Sequence, residues 1–147
     1  MRKLTIVIIY SLVLVSACAA KNPQKICFKN TCVLLEIADS ELSRAKGLMF
    51  RKKLPEKSGM LFIYPAEDIY RFWMKNTLIL LDIIWLDKDL KVVYIKSFVP
   101  PCNSSDCPSY NPEVKAQYVL EVNAGFSDFH QIKINDKAYL KNARPQK

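Results

Sequence analysis

Four of the five cysteines stand in two pairs of identical spacing, Cys27 with Cys32 and Cys102 with Cys107. A bond across either pair closes a very small ring, so the chain between must turn sharply. If Ile26 to Val33 is a hairpin turning at Lys29-Asn30, then Phe28 faces Thr31 and Cys27 faces Cys32. In a hairpin with a two-residue loop that outer pair is not hydrogen-bonded, and its Cα atoms lie about 4.5 Å apart, within disulfide reach. The second pair, Cys102-Asn-Ser-Ser-Asp-Cys107, is bracketed by Pro100-Pro101 and Pro108, a polar loop whose base a disulfide would pinch. The rival is zinc held by four thiolates, which these spacings also allow.

The N-terminus bears on that choice. Arg2 and Lys3 precede an apolar run from Leu4 to Val15, broken only by Thr5, Tyr10 and Ser11. Such a run has the length of a signal peptide and is short for a membrane span. It ends in Val15-Ser16-Ala17-Cys18, which looks like the lipobox of bacterial lipoproteins. That likeness implies cleavage after residue 17, lipid on Cys18, a short tether over residues 18–25 and a single domain over residues 26–147. In a Gram-negative cell Ala19 in place of Asp implies export to the periplasmic side of the outer membrane, the alternative being the cell membrane, with the lipid anchor as the membrane contact. Outside the cytoplasm disulfides form and persist, which favours two disulfides over zinc.

At 147 residues the chain has room for one domain. The formal charge is +8, of which Arg2 and Lys3 contribute two. The lysines are scattered rather than interleaved with aromatics, so the basic surface reads as solvated and not as a nucleic-acid footprint. Three glycines exclude the glycine-rich phosphate loops, and the single histidine, His130, excludes HExxH sites and three-histidine zinc.

Short β-rich runs separated by turn residues dominate the rest. Strands are expected at Cys32–Ala38, Gly59–Tyr64 (halted by Pro65), Ile69–Met74, Ile83–Leu86, Lys91–Phe98, Ala116–Val122 and within Ile132–Leu140. Asp39 or Ser40 caps a short helix through Ser43-Arg44-Ala45-Lys46 that Gly47 closes, and Ala124–His130 holds a helical turn. This is a β-rich α+β domain of about seven short strands and one or two short helices, its sheet partly closed like a barrel.

Several strings resemble one family: Arg44-Ala45-Lys46-Gly47-Leu48-Met49-Phe50-Arg51, Ser58-Gly59-Met60-Leu61-Phe62, Phe72-Trp73-Met74-Lys75-Asn76-Thr77, Leu81-Asp82-Ile83-Ile84, and Tyr118-Val119-Leu120-Glu121-Val122-Asn123-Ala124-Gly125, with the flanked cysteines Pro101-Cys102 and Cys107-Pro108. They are similar to the family called domain of unknown function 192, over roughly Val33 to Leu140. The resemblance implies a β-rich, single-domain, often exported protein and brings no established activity. Leu80 stands where the family pattern has proline.

Three constellations could carry chemistry. Trp73, Asn76 and Asp82, with Arg44, Arg51 and Glu121, offer a stacking face, an amide and charges at a pocket for a small polar ligand or an envelope protein. Glu121 lies between Leu120 and Val122, so it needs a partner, and Arg44 or Arg51 could latch it. Alternatively, Asp82 and Glu121 form the acid/base pair of a hydrolase, which requires carboxyls roughly 5 to 9.5 Å apart. Third, Met49, Met60 and Met74, with Trp73 and His130, could offer soft ligands to Cu(I). No nucleophile–base pair is specified, so the favoured reading is a non-catalytic binding module without a cofactor.

Overall fold

A computed structural model describes residues 24–142. The signal segment and Cys18 lie outside the described residues. Nine strands and two short helices occur in the order β1 (Gln24–Cys27), β2 (Cys32–Ala38), α1 (Glu41–Lys46), β3 (Ser58–Asp68), β4 (Phe72–Trp73), β5 (Leu81–Leu86), β6 (Val92–Val99), β7 (Ser109–Tyr110), β8 (Ala116–Asn123), α2 (Phe126–Phe129) and β9 (Tyr139–Asn142). The last two residues assigned to the tether, Gln24 and Lys25, therefore belong to a strand.

Seven strands form one mixed sheet in the order β6-β5-β8-β3-β2-β1-β9, and β4 pairs with β7 as a small ribbon. The first hairpin has the expected register. Cys27 pairs with Cys32, the Phe28 amide donates to the Thr31 carbonyl at 2.8 Å, and the disulfide joins Cα atoms 4.0 Å apart. β2 and β3 run parallel, joined through α1. Ser40 caps that helix in a reciprocal box with Ser43, and Gly47 ends it at φ 47°.

The sheet is not closed into a barrel. Its ends approach only where Lys91 bridges Lys137, with the Val92 amide donating to the Asp136 carbonyl and the Ala138 amide to the Leu90 carbonyl. Three elements depart from expectation. Pro65 does not halt β3, because the ladder to β8 is already interrupted between Ile63 and Asp68, so its missing N–H costs no ladder bond. The strand expected at Ile69–Met74 shrinks to Phe72–Trp73, whose partner, Ser109–Tyr110, comes from the cysteine loop. The C-terminal strand is confined to Tyr139–Asn142, because residues 135–138 turn away to meet Leu90–Val92.

Both faces of the sheet are covered. Alternating side chains sort the central strands into two apolar clusters. One contains Leu61, Ile84, Leu86, Leu120 and Val122, with Phe126 from α2. The other contains Met60, Phe62, Ile83, Trp85 and Val119, with Leu48, Phe72 and Met74 laid over them. Gly59 sits where the strands press closest: a Cβ there would stand 2.6 Å from the Glu121 carbonyl oxygen and 2.9 Å from Val122 Cγ1.

Candidate functional site

β8 places one carboxyl in the wrong medium for a charge. Register pairs Glu121 with Met60 of β3 and Ile83 of β5, so it shares the face of Phe62, Trp85 and Val119. The residue is 5% exposed, and its Oε2 is buried without a hydrogen-bond partner. Desolvation pushes its pKa up to about 8, so the carboxyl is neutral at pH 7.

Above it lies a small cleft, about 30 Å³, lined by Arg44, Lys46, Met49, Trp73, Lys75, Thr77 and Glu121 among others. Local structure explains each wall. The capped helix α1 delivers Arg44, whose Nη1 donates to the carbonyls of Asp39 at 2.6 Å and Ile63 at 2.8 Å and whose guanidinium lies 5.1 Å from the Tyr64 ring. Burial lifts the Tyr64 phenol to about 12, so it stays neutral there. Trp73 is half exposed at the rim, with the Lys75 ammonium 5.2 Å from its ring. Thr77 is buried beside them.

The wall carrying Trp73, Lys75 and Thr77 is held by a left-handed turn at Asn76 (φ 56°). The Asn76 amide donates to the Cys102 carbonyl, and its carbonyl accepts from the Phe50 amide, both at 2.7 Å. The Cys102–Cys107 disulfide closes the loop on which that anchor sits, with Cα atoms 5.9 Å apart.

Of the six residues expected at a pocket, Arg44, Trp73 and Glu121 meet. The other three have different duties. Arg51 makes a two-pronged ion pair with Glu36 of β2 and does not latch Glu121. Arg44 spends Nη1 on carbonyls, so the expected Arg–Glu latch is absent from the described hydrogen bonds and salt bridges. Asn76 acts through its backbone, and its place at the pocket is taken by its neighbours Lys75 and Thr77. Asp82 is fully buried on the opposite face, paired with Val122. Its Oδ1 accepts from the amides of Phe98 and Gly125, each at 3.0 Å, and Oδ2 from Ser127 at 2.9 Å, which ties α2 to the sheet.

The hydrolase pair therefore fails on strand parity. Asp82 lies one register position from the Ile83–Glu121 pair, so the two carboxyls point to opposite faces with the sheet between them. Of the soft-metal set, His130 stands apart at α2, while the methionines and Trp73 all belong to the Glu121 face. Met60 and Met74 are core side chains, Met49 is at the pocket, and His130 packs on Phe126 and Phe129 at α2. Among the described residues no three His, Cys, Asp or Glu side chains cluster as a metal site.

Sequence reasoning passed over Lys75 and Thr77 as pocket residues, although their alternation with Trp73 put all three on one side. It also missed Glu36 as the partner of Arg51, since nothing local joins the end of α1 to β2.

The walls of the pocket come from strings that also carry the family likeness. The model of the family DUF192, described as an uncharacterized ACR, matches residues 24–140. A UPF0127 protein of Pyrococcus horikoshii is 31% identical over 108 residues, which is 70% of this chain and 84% of that protein. A crystal structure of a protein of unknown function from Novosphingobium aromaticivorans superposes with a TM-score of 0.70 at 32% identity, covering 80% of this chain and 83% of that one. A second, from Sinorhizobium meliloti and described as a candidate transcription regulator, gives 0.72 at 25% identity, covering 84% and 96%.

Proposed function

This chain belongs to the DUF192 family, and from that premise we propose that it is an exported, lipid-anchored binding module whose pocket over Glu121 takes a small polar ligand or the polar end of an envelope partner. One observation carries the reading. Glu121 Oε2 is buried, unpartnered and at the edge of a cleft, and an unpaired buried oxygen costs roughly 1 to 3 kcal/mol unless something fills its valence. Arg44, Trp73, Lys75 and Thr77, from two other parts of the chain, converge on the same opening. A binding role rather than a hydrolytic one follows from Asp82, which is fully engaged in holding α2.

The anchoring half of the proposal rests on the basic start, the apolar run and Val15-Ser16-Ala17-Cys18. Two or three acyl chains at Cys18 suffice for stable membrane association, whereas one gives only marginal binding.

The test uses the full chain produced in a bacterial host. It is expected in the membrane fraction with acyl mass on an N-terminal Cys18, and Cys18→Ser is expected to lose both that mass and the cleavage after residue 17. Native mass spectrometry of the detergent-extracted protein should show added mass that disappears on denaturation and is absent from Glu121→Leu. Added mass that persists unchanged in Glu121→Leu would remove the pocket from the proposal. A wild-type protein that stays soluble would remove the anchor.

A further inference from the structure

Resting on the reading of the Glu121 pocket as a binding site, we infer that its ligand presents a carboxylate, which pairs with the Glu121 carboxyl through one shared proton while Arg44, Lys46 and Lys75 supply the opposing charge. The shape of the cleft makes the first argument. A volume of about 30 Å³ admits about two water-sized groups. That leaves room beside Glu121 for the two oxygens of a carboxylate, with the rest of the ligand in the open mouth of the cleft.

Charge makes the second. The charged groups that line the cleft besides Glu121 are Arg44 and Lys46 from α1 and Lys75 beyond β4. β3 brings Tyr64, held neutral beneath the Arg44 guanidinium. β2 brings Glu36, whose charge is met by the two-pronged pair with Arg51, and β5 brings Leu81, Ile83 and Trp85 and no titratable group. The surroundings therefore favour an anion.

The third argument is donor chemistry. A neutral carboxyl offers an O–H, and Thr77 offers a hydroxyl. An O–H donating to a carboxylate is among the stronger hydrogen bonds, about twice a neutral one. Trp73, half exposed at the rim, gives the organic body of the ligand a flat apolar surface.

A pH signature follows. Two carboxylates sharing one site cannot both be charged. Glu121 is neutral up to about pH 8, so affinity should be flat from about pH 6, where the ligand's own carboxyl is ionised, up to that value and fall by about tenfold for each unit above it. Two sources share the chemistry: a free small organic acid, or the C-terminal carboxylate of a peptide.

The experiment is calorimetric titration of the full chain in detergent at pH 6.5 and 9.5 with propionate, propionamide, phosphate and a tripeptide with either a free or an amidated C-terminus. Propionate is expected to bind at pH 6.5 and at least tenfold more weakly at pH 9.5, and propionamide and phosphate at least tenfold more weakly than propionate at pH 6.5. Glu121→Gln, which keeps the shape and a donor, should hold propionate within about threefold at pH 6.5 and lose the fall at pH 9.5. Tighter binding of the free-acid tripeptide than of propionate assigns the peptide source, and equal binding assigns the small acid. Propionamide or phosphate binding as well as propionate would overturn the carboxylate while leaving a binding pocket. Affinity that rises with pH would overturn the shared proton. If no probe binds and Glu121→Leu keeps the added mass seen in native spectra, both the inference and the pocket reading fall.

Discussion

Glu121 stands between Leu120 and Val122 on a strand covered on both sides, and its ionisation works against the fold. Its folded-state pKa is raised to about 8 from an ordinary 4.5, so across that window the folded chain holds a proton that the unfolded chain has released. The stability contributed by the neutral carboxyl is complete below about pH 4.5. It is lost as pH rises toward 8, with a slope approaching about 1.4 kcal/mol per pH unit. Glu121→Gln removes the ionisation and keeps the volume. Thermal melts at pH 5 and pH 8 should show the wild type losing stability between them and the variant nearly level, the variant being the more stable at pH 8. A wild type that gains stability over this range would contradict a buried neutral acid. Gly59 is the opposite case, a residue that matters for what it lacks. A methyl there meets the Glu121 carbonyl oxygen at 2.6 Å, and backbone in a central strand yields little. Gly59→Ala is expected to cost about 1 to 3 kcal/mol, lowering the midpoint of chemical denaturation.

At the scale of elements, short pieces are held by a few polar anchors. α2 has four residues, far too few to form without tertiary contacts. Asp82 holds it, through the amides of Gly125 and Ser127, and ties in Phe98 as well. Gly125 takes φ 81° at the helix start, where a β-carbon would be disfavoured. Asp82→Ala strands three donors at once and is expected to cost about 3 kcal/mol or more. Hydrogen exchange should quicken first at Gly125, Ser127 and Phe98, while β2 amides stay protected. The Cys102–Cys107 loop does the same for the wall of the pocket. On a chain-entropy account a ring this small contributes roughly 2 kcal/mol. Changing both cysteines to Ser should lower stability by about that amount. It should also shift the emission of Trp73, because the Asn76 amide anchors to the Cys102 carbonyl. Unchanged emission would mean that the wall stands without the disulfide.

At the scale of the whole molecule, two apolar clusters share the strands between them. β3, β5 and β8 contribute alternate residues to each, so neither cluster survives loss of the sheet. Unfolding should therefore be cooperative. Tryptophan emission, which reports only the Glu121 face through Trp73 and Trp85, should trace the same transition as far-ultraviolet circular dichroism. Two separated transitions would show the faces to be independent.

Much of this was open to reading from the chain alone. The Cys27–Cys32 hairpin needed only a two-residue turn and the alternation of strand side chains. The α1 start was legible as Asp39 or Ser40, and the structure chose Ser40 through its reciprocal box with Ser43. Family strings identified the stretches from which the pocket is built, and Leu120-Glu121-Val122 already marked an acid in apolar company. Such features depend on neighbours along the chain, where geometry is set by backbone periods of 2 and 3.6. Tertiary structure alone decided which acids and bases meet. Arg51 went to Glu36, Asp82 to three backbone amides, and Lys75 and Thr77 to the place expected for Asn76. Those outcomes depend on strand order and register. A shift of one residue turns a side chain to the other face of the sheet, and no local pattern records which strand will lie alongside. The same parity that set Asp82 and Glu121 on opposite faces left the buried Glu121 Oε2 without a hydrogen-bond partner at the edge of the cleft.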